Sequence, residues 1–363
     1  MHFEEPETVP AGDRKDMEFM GTLISAVCGF AASLLLTAAT LRYARRHGLI
    51  DLPGRRRSHK QPTPRGGGIG IVAAMVLAGL PAWYGLDPAA GPWRVGAVAL
   101  AILAVALIGW RDDHAPLSVL PRLAVHVLAA LLVGATVLAP GPWPGAFGWV
   151  ALLPLAVLLV GFINAHNFMD GIDGILGQQG LFVMLGYGLL AIEAGHSGLA
   201  GFAFASAAGC LGFLFFNFPP ARIFMGDVGS GALGLALGAV AALLVQRNPA
   251  MLWGCLILPS AFLVDSGLTL ARRMFGGQRW YAPHRQHLYQ WLVRVNWSHA
   301  RTDVAYMTWN LAVVAPLAWL AVRWPARGVW CAVAAYALAA AVWYVGKRAC
   351  LAAAMGGKLH EAA

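Results

Sequence analysis

Eleven stretches of about 20 mostly apolar residues, divided by short polar connectors, leave this chain few folds to adopt. They run at about 19–41, 67–85, 93–110, 121–139, 146–165, 174–193, 198–217, 228–246, 250–271, 304–322 and 328–346. Lipid offers a crossing segment no hydrogen-bond partner, and a helix is the element that satisfies its own N–H and C=O groups. Composition agrees. Of 363 residues 59% are hydrophobic and 12% charged, against about 25% charged in a soluble domain. The expected fold is an all-α polytopic membrane bundle of about 11 transmembrane helices. A polar N-terminal tail is expected over 1–18, one membrane domain over 19–348 and a C-terminal tail over 349–363. The first apolar run ends in Arg42, Arg45 and Arg46 with no small-residue cleavage site, so it is expected to remain as a helix. The five cysteines stand singly in or beside apolar runs and read as packing residues.

The net charge is +9, and the distribution of the bases argues for topology rather than for nucleic acid. With the N-terminus outside, 20 of the 26 Lys and Arg residues fall in connectors on the inner side and 6 on the other. Basic residues collect on the cytoplasmic side of membrane proteins. The N-terminus is therefore expected outside and the C-terminus inside.

With that orientation, the conspicuous polar motifs all fall on the cytoplasmic side. Gly109-Trp110-Arg111-Asp112-Asp113 closes the third span. It reads either as a solvated loop or as a carboxylate pair that shares a cation or a proton. In Asn164-Ala165-His166-Asn167-Phe168-Met169-Asp170-Gly171-Ile172-Asp173-Gly174, polar residues recur every third position, which a helix end would align on one face. Asn and Asp oxygens suit Mg²⁺, and the run lacks the 12-residue calcium-loop pattern. Phe224-Met225-Gly226-Asp227-Val228-Gly229-Ser230-Gly231 opens the eighth span. There Asp227 is either a helix cap or part of a metal–phosphate site. His59-Lys60-Gln61-Pro62-Thr63-Pro64-Arg65-Gly66-Gly67-Gly68 lacks the Walker spacing. It is a glycine-rich helix entry, or Lys60 and Arg65 hold phosphate oxygens. Tyr281-Ala282-Pro283-His284-Arg285-Gln286-His287-Leu288-Tyr289-Gln290 offers two histidines and an arginine to a diphosphate, without the third ligand of a zinc site. Arg272, Arg273 and Arg279 read as topogenic and lipid-headgroup contacts. Asp265, within Phe262-Leu263-Val264-Asp265-Ser266-Gly267, is an intramembrane carboxylate and so either functional or structural.

In this order, the segments Pro62–Gly68, Asp112-Asp113, Asn164–Gly174, Phe224–Gly231 and His284-Arg285-Gln286-His287 resemble the polyprenyl-phosphate N-acetylhexosamine-1-phosphate transferases, glycosyltransferase family 4. The similarity runs from about residue 20 to 348, and the unbroken Pro-Thr-Pro-Arg-Gly-Gly-Gly looks most like the O-antigen-initiating branch. The phospho-MurNAc-pentapeptide transferase pattern differs. It carries a basic residue soon after the Asp pair and consecutive histidines, where this chain has His114 and a pair split by Arg285 and Gln286.

The resemblance implies transfer of a sugar-1-phosphate from a UDP-N-acetylhexosamine (GlcNAc, QuiNAc or FucNAc type) to undecaprenyl phosphate, with release of UMP. It implies a bacterial inner membrane, membrane lipid around the chain, Mg²⁺ or Mn²⁺ as cofactor and a homodimer as an option. Carried onto this sequence, Asp112, Asp113, Asp170 and Asp173 become the catalytic residues, and Asp227 and Asn167 the metal ligands. Lys60, Arg65, Asn164, His284, Arg285 and His287 become the substrate contacts. Two rival readings are weighed against it. A secondary transporter would use intramembrane charge such as Asp265, but transporters bind near the midplane. A CDP-alcohol phosphotransferase would need an Asp-Gly-x-x-Ala-Arg signature that is not in the sequence.

Overall fold

The computed structural model describes residues 11–52, 61–138, 146–279, 282 and 284–361. Lys60, named above as a phosphate contact, lies outside the described residues. In chain order the elements are α1 (Ala11–His47), a two-residue hairpin of β1 (Ile50–Asp51) and β2 (Thr63–Pro64), then α2 (Ile69–Ala74) and α3 (Leu80–Leu86). Next come α4 (Pro92–His114), α5 (Val119–Leu138), α6 (Ala146–Met169), α7 (Ile175–Glu193), α8 (Ser197–Asn217) and α9 (Asp227–Arg247). The chain continues through α10 (Leu252–Ile257), α11 (Ser260–Phe275), α12 (Leu288–Arg294), α13 (His299–Trp309), α14 (Ala315–Arg323) and α15 (Gly328–Glu361). Among the described residues, ten helical spans are long and apolar enough to cross a bilayer, and the bent pair α10–α11 makes an eleventh.

That pair marks the main departure from the hydropathy reading, which gave one span over about 250–271. The axis turns by 66° between Ile257 and Ser260. Pro259 sits at the break; it offers no N–H to the helix and disfavours helical backbone in the residue before it. Two other spans stay continuous through π turns, Met75–Gly79 between α2 and α3 and Asn310–Val314 between α13 and α14. The helix of α1 also reaches further at both ends than the run at 19–41.

The innermost helix is α9, with 83% of its most apolar window buried inside the protein, followed by α7 and α8 at 72%. A helix apolar all round belongs in a core. Between helices in lipid, small residues allow close approach. Gly234 and Gly238 of α9 lie against Phe162, Ile163 and Leu159 of α6, and Gly231 against Val105 of α4. Those two neighbours deliver their C-terminal ends, with Asp112-Asp113 and Asn167, to the N-terminus of α9. The Gly66-Gly67-Gly68 strip runs beside the same point. Its N–H groups are spent on backbone, Gly67 on Phe224 O and Gly68 on Met225 O, both at 2.9 Å. The strip is therefore a close-packed helix entry, and those two N–H groups are not free for a phosphate.

Asp265 of α11 is 2% exposed and fully occupied. Leu288 N–H donates to it at 2.8 Å, Tyr306 hydroxyl at 2.8 Å, Trp343 Nε1–H at 3.0 Å, Thr269 hydroxyl at 3.3 Å and Tyr289 N–H at 3.4 Å. One carboxylate thus ties α11, α12, α13 and α15 together at the wall of a 580 Å³ apolar cavity. Truncation by Asp265→Ala strands several of these donors, at about 1–3 kcal/mol each. The variant should lose at least about 3 kcal/mol of stability. Thermal unfolding in detergent checks this, and a melting temperature equal to wild type would refute the structural role.

Candidate active site

The site begins with an unsatisfied helix end. The first N–H groups of a helix have no intrahelical acceptor, and those of α9 are buried. Asp113, 2% exposed on the last turn of α4, meets them: Oδ1 accepts Asp227 N–H at 3.1 Å and Oδ2 accepts Val228 N–H at 3.2 Å. A carboxylate there also faces the positive end of the helix dipole. Gly226, at φ +77°, supplies the backbone turn into α9, and a side chain on it would run into Asp113 Oδ2. Arg65 follows β2 and reaches over, donating to Asp113 O, with its NH1 3.9 Å from Asp113 Oδ1.

Asp227 is placed by that cap. Its Oδ1 accepts Asn167 Nδ2–H at 3.0 Å, and Asn167 Nδ2 also donates to Ser230 Oγ at 2.8 Å. Its Oδ2 accepts from Arg122 NH1 at 2.9 Å. The same Arg122 nitrogen lies 3.0 Å from Asp112 Oδ2, and Asp112 Oδ1 accepts Leu117 N–H at 2.6 Å. Arg122, from the start of α5, is therefore the cation between two carboxylates.

Beside this cluster is a cavity of 240 Å³ lined by Asp51, Arg65, Asp113, Asp170–Asp173, Asn217, Phe224, Gly226, Asp227, Gln290 and His299. The carboxyl group of Asp170 makes no hydrogen bond among the described residues, its backbone N–H donating to Asn167 O at 3.3 Å. Burial, followed by the charges of Asp227, Asp113 and Asp173, holds its carboxyl well above the ordinary value of 3.8. Asp173 differs. Its Oδ2 accepts Ala221 N–H at 3.0 Å, and its Oδ1 lies 3.2 Å from His299 Nδ1.

Most of the sequence-derived set converges here: Arg65, Asp112, Asp113, Asn167, Asp170, Asp173 and Asp227. The expected helical face over 164–173 breaks at Met169, where α6 ends. Asn167 is still helical, and the glycines of the following loop swing Asp170 and Asp173 into the cavity. Asn164 stays out of the constellation, its Nδ2 donating back to Val160 O at 2.8 Å. Asp112 and Asp113 belong to the helix itself rather than to a solvated loop.

The histidine loop adjoins the cavity without lining it. The His284 and His287 rings lie with centroids 5.0 Å apart, tilted by 34° to each other, beside Phe168. Burial, then His287, Arg273 and Lys347, lowers the His284 pKa to about 4. It is a neutral ring near pH 7. His287 is 2% exposed and takes part in the capping box of α12 with Gln290. Arg285 likewise is not among the cavity-lining residues. The sequence motifs did not assign Arg122, Ser230, Gln290 or His299. Arg122 is one of the inner-side bases of the topology count, and His299 stands outside every motif.

The donor set fits a hard cation. Among the described residues no three His, Cys, Asp or Glu side chains form a ready metal cage. Mg²⁺ does not require one, since it is held by one or two carboxylates together with substrate phosphates. Asp227, with the amide of Asn167, supplies oxygen donors of that kind, and the guanidinium of Arg122 shows that the spot already accommodates positive charge.

Comparison with known proteins gives a family match and several relatives. The glycosyl transferase family 4 model matches residues 95–245. The decaprenyl-phosphate N-acetylglucosaminephosphotransferase of Mycolicibacterium smegmatis is 33% identical over 322 residues, covering 76% of this chain and 78% of the relative. The "Probable undecaprenyl-phosphate N-acetylglucosaminyl 1-phosphate transferase" of Bacillus subtilis is 27% identical over 300 residues, covering 78% and 80%. The phospho-N-acetylmuramoyl-pentapeptide-transferase of Moorella thermoacetica is 43% identical over 155 residues, covering 38% of this chain and 49% of its own.

The two kinds of carboxylate here should part in a stability measurement. Asp113→Leu leaves two buried N–H groups without an acceptor and should cost about 2–5 kcal/mol. Asp170→Asn removes a crowded charge without breaking a bond, so its melting temperature should equal or exceed wild type. A raised folded-state pKa means the folded form holds its proton longer, so stability falls as pH climbs past the unfolded value of about 4. That decline should be shallower in Asp170→Asn, as read by thermal unfolding across pH. A steeper decline would refute it.

Proposed function

The chain belongs to the polyprenyl-phosphate N-acetylhexosamine-1-phosphate transferase superfamily, and on that premise we propose that it moves an N-acetylhexosamine-1-phosphate from a UDP-sugar to undecaprenyl phosphate. UMP leaves, and the lipid diphosphate sugar begins a cell-envelope glycan of the O-antigen type. The observation that carries this reading is the convergence of Asp113, Asp170, Asp227 and Arg65 on one cavity at the ends of membrane-length helices. The printed names of the relatives pair a polyprenyl phosphate with an amino-sugar phosphate. The basic-residue count supports a cytoplasmic position for this end of the bundle, and the family supports a bacterial inner membrane, where a soluble nucleotide and a lipid phosphate meet.

The reaction exchanges one phosphoanhydride for another, so the barrier lies in bringing two anions together in line. Asp227 and Asn167 would hold Mg²⁺, or Mn²⁺ in its place, which neutralises charge on the donor diphosphate when bound. Arg122 and Arg65 add fixed positive charge for phosphate oxygens, in the forked geometry that suits them. Asp113 positions the site by holding the start of α9. A phosphate monoester has its second pKa near 6, so proton removal from the lipid phosphate is a modest task at pH 7. The geometry favours Asp170 for it, because Asp112 and Asp113 are both engaged in hydrogen bonds. Direct attack then needs no protein nucleophile.

A second reading, phospho-MurNAc-pentapeptide transfer, draws support from the 43% identity to the Moorella enzyme over 155 residues. One panel separates the two. Purified protein in nanodiscs is given undecaprenyl phosphate, Mg²⁺ and UDP-linked GlcNAc, QuiNAc, FucNAc or MurNAc-pentapeptide, with UMP release and product mass as readouts. An amino-sugar donor should give Mg²⁺-dependent UMP, and Asp227→Asn should lower the rate at least about 100-fold. Absence of UMP with every donor would refute the transferase reading.

A further inference from the structure

Almost every polar side chain lining the 240 Å³ cavity is already committed within the protein. Asn217 accepts Gly174 N–H and donates to Ile223 O, each at 2.9 Å. Gln290 donates to Tyr289 Oη at 3.1 Å and accepts His287 N–H at 3.2 Å. Asp113 and Asp227 are taken by the start of α9, Arg122 and Asn167. Asp173 is taken by Ala221 N–H and His299. Besides Asp170, two lining side chains keep a hydrogen-bonding atom with no partner among the described residues: Arg65 through Nε, a phosphate contact already named, and His299 through Nε2.

The ring of His299 is fixed from two directions. Ser298 caps α13, its Oγ accepting Arg301 N–H at 3.1 Å, which sets residue 299 at the head of the first turn. Asp173 Oδ1 then lies 3.2 Å from Nδ1. Asp173 N–H donates to Nδ1 at 3.4 Å. An N–H held against one nitrogen sets the tautomer: Nδ1 is the acceptor, and the proton of the neutral ring sits on Nε2. Nε2 then presents an N–H, on an immobilised ring, to whatever fills the cavity.

We propose that His299 is a substrate contact of the nucleotide-sugar donor, donating a hydrogen bond from Nε2–H to an oxygen of that molecule while Asp173 holds the ring. A lipid tail offers no acceptor; the donor carries oxygens on its base, ribose, sugar and phosphates, and the lipid phosphate is the other source of such an oxygen, which the separate KM values below distinguish. This assignment rests on the transferase reading and makes His299, which lies outside the motif set, part of donor selection.

The test uses the full-length protein in nanodiscs with the donor that supports turnover in the panel above. His299→Ala should raise the donor KM about 10-fold, the effect of one lost hydrogen bond of about 1.4 kcal/mol. The kcat should stay within about 3-fold, and the KM for undecaprenyl phosphate should not move. Equilibrium binding of the same donor without lipid phosphate should weaken by the same factor. His299→Gln, which keeps a side-chain N–H donor, should recover part of the loss. Unchanged donor KM in His299→Ala overturns the assignment and leaves the transferase reading standing. So does a parallel fall in kcat, both affinities and melting temperature, which would mark a purely structural residue. A wild-type protein with no turnover on any donor overturns the transferase reading itself, and this assignment with it.

Discussion

The site depends on a single contact, the Asp113 carboxylate against the first N–H groups of α9. A central helix in this bundle begins among packed side chains rather than in water, so its N-terminal N–H groups need an acceptor. Asp113 fills that need, and in doing so it locks the end of α4 to the start of α9. Residue 227 is next in line at that helix start, which is why a functional carboxylate can sit at a defined height in the protein. Once Asp227 is placed, Arg122 and Asn167 have a common target, and Asp112 follows through Arg122. Fold and site therefore share one hydrogen-bonded joint.

A second joint closes the other wall. Asp265 draws α12 against α11, α13 and α15 through donors from all four helices. Tyr289 of α12 then donates its hydroxyl to Phe168 O at 3.0 Å, next to the Asp170 loop. This explains how Gln290 comes to line the cavity while His284 and His287 remain beside it. It also removes the main physical support for a transporter. A coupling-ion carboxylate must be able to bind and release a cation, and Asp265 has five donors from the protein already in place.

The spans were legible because hydropathy over about 20 residues is a property of the segment itself. The five motifs were legible because their glycines and carboxylates are out of place in apolar sequence. What escaped were relations between distant residues. Arg122 carries no local signal beyond a positive charge at a helix start, and topology already explains such a charge; its 2.9 Å bond to Asp227 spans 105 residues. His299 pairs with Asp173 from 126 positions away and belongs to no motif. Asn164 failed in the opposite sense. Its three-residue spacing matched the pattern, yet it is a full turn too deep in α6, and its amide is spent on Val160 O. The bend at Pro259 was written in the sequence, but apolar residues on both sides hid it within one hydropathy peak.

The distribution of committed and uncommitted groups separates structure from chemistry more sharply than residue type does. Asp113, Asp173 and Asp265 are carboxylates whose oxygens are already bonded within the protein, and each joins elements that would otherwise part. Asp170 has the same chemistry and, among the described residues, no hydrogen bond to its carboxyl group, in a cavity where burial and then three neighbouring carboxylates raise its pKa. An arrangement that crowds like charges without compensating bonds is costly to the folded state on its own. It becomes favourable only when positive charge or a proton is delivered from outside. A donor diphosphate with its cation would bring that charge, and a lipid phosphate would bring the proton. The same accounting applied to neutral groups singles out the Nε2 of His299, the position proposed to meet the nucleotide-sugar donor.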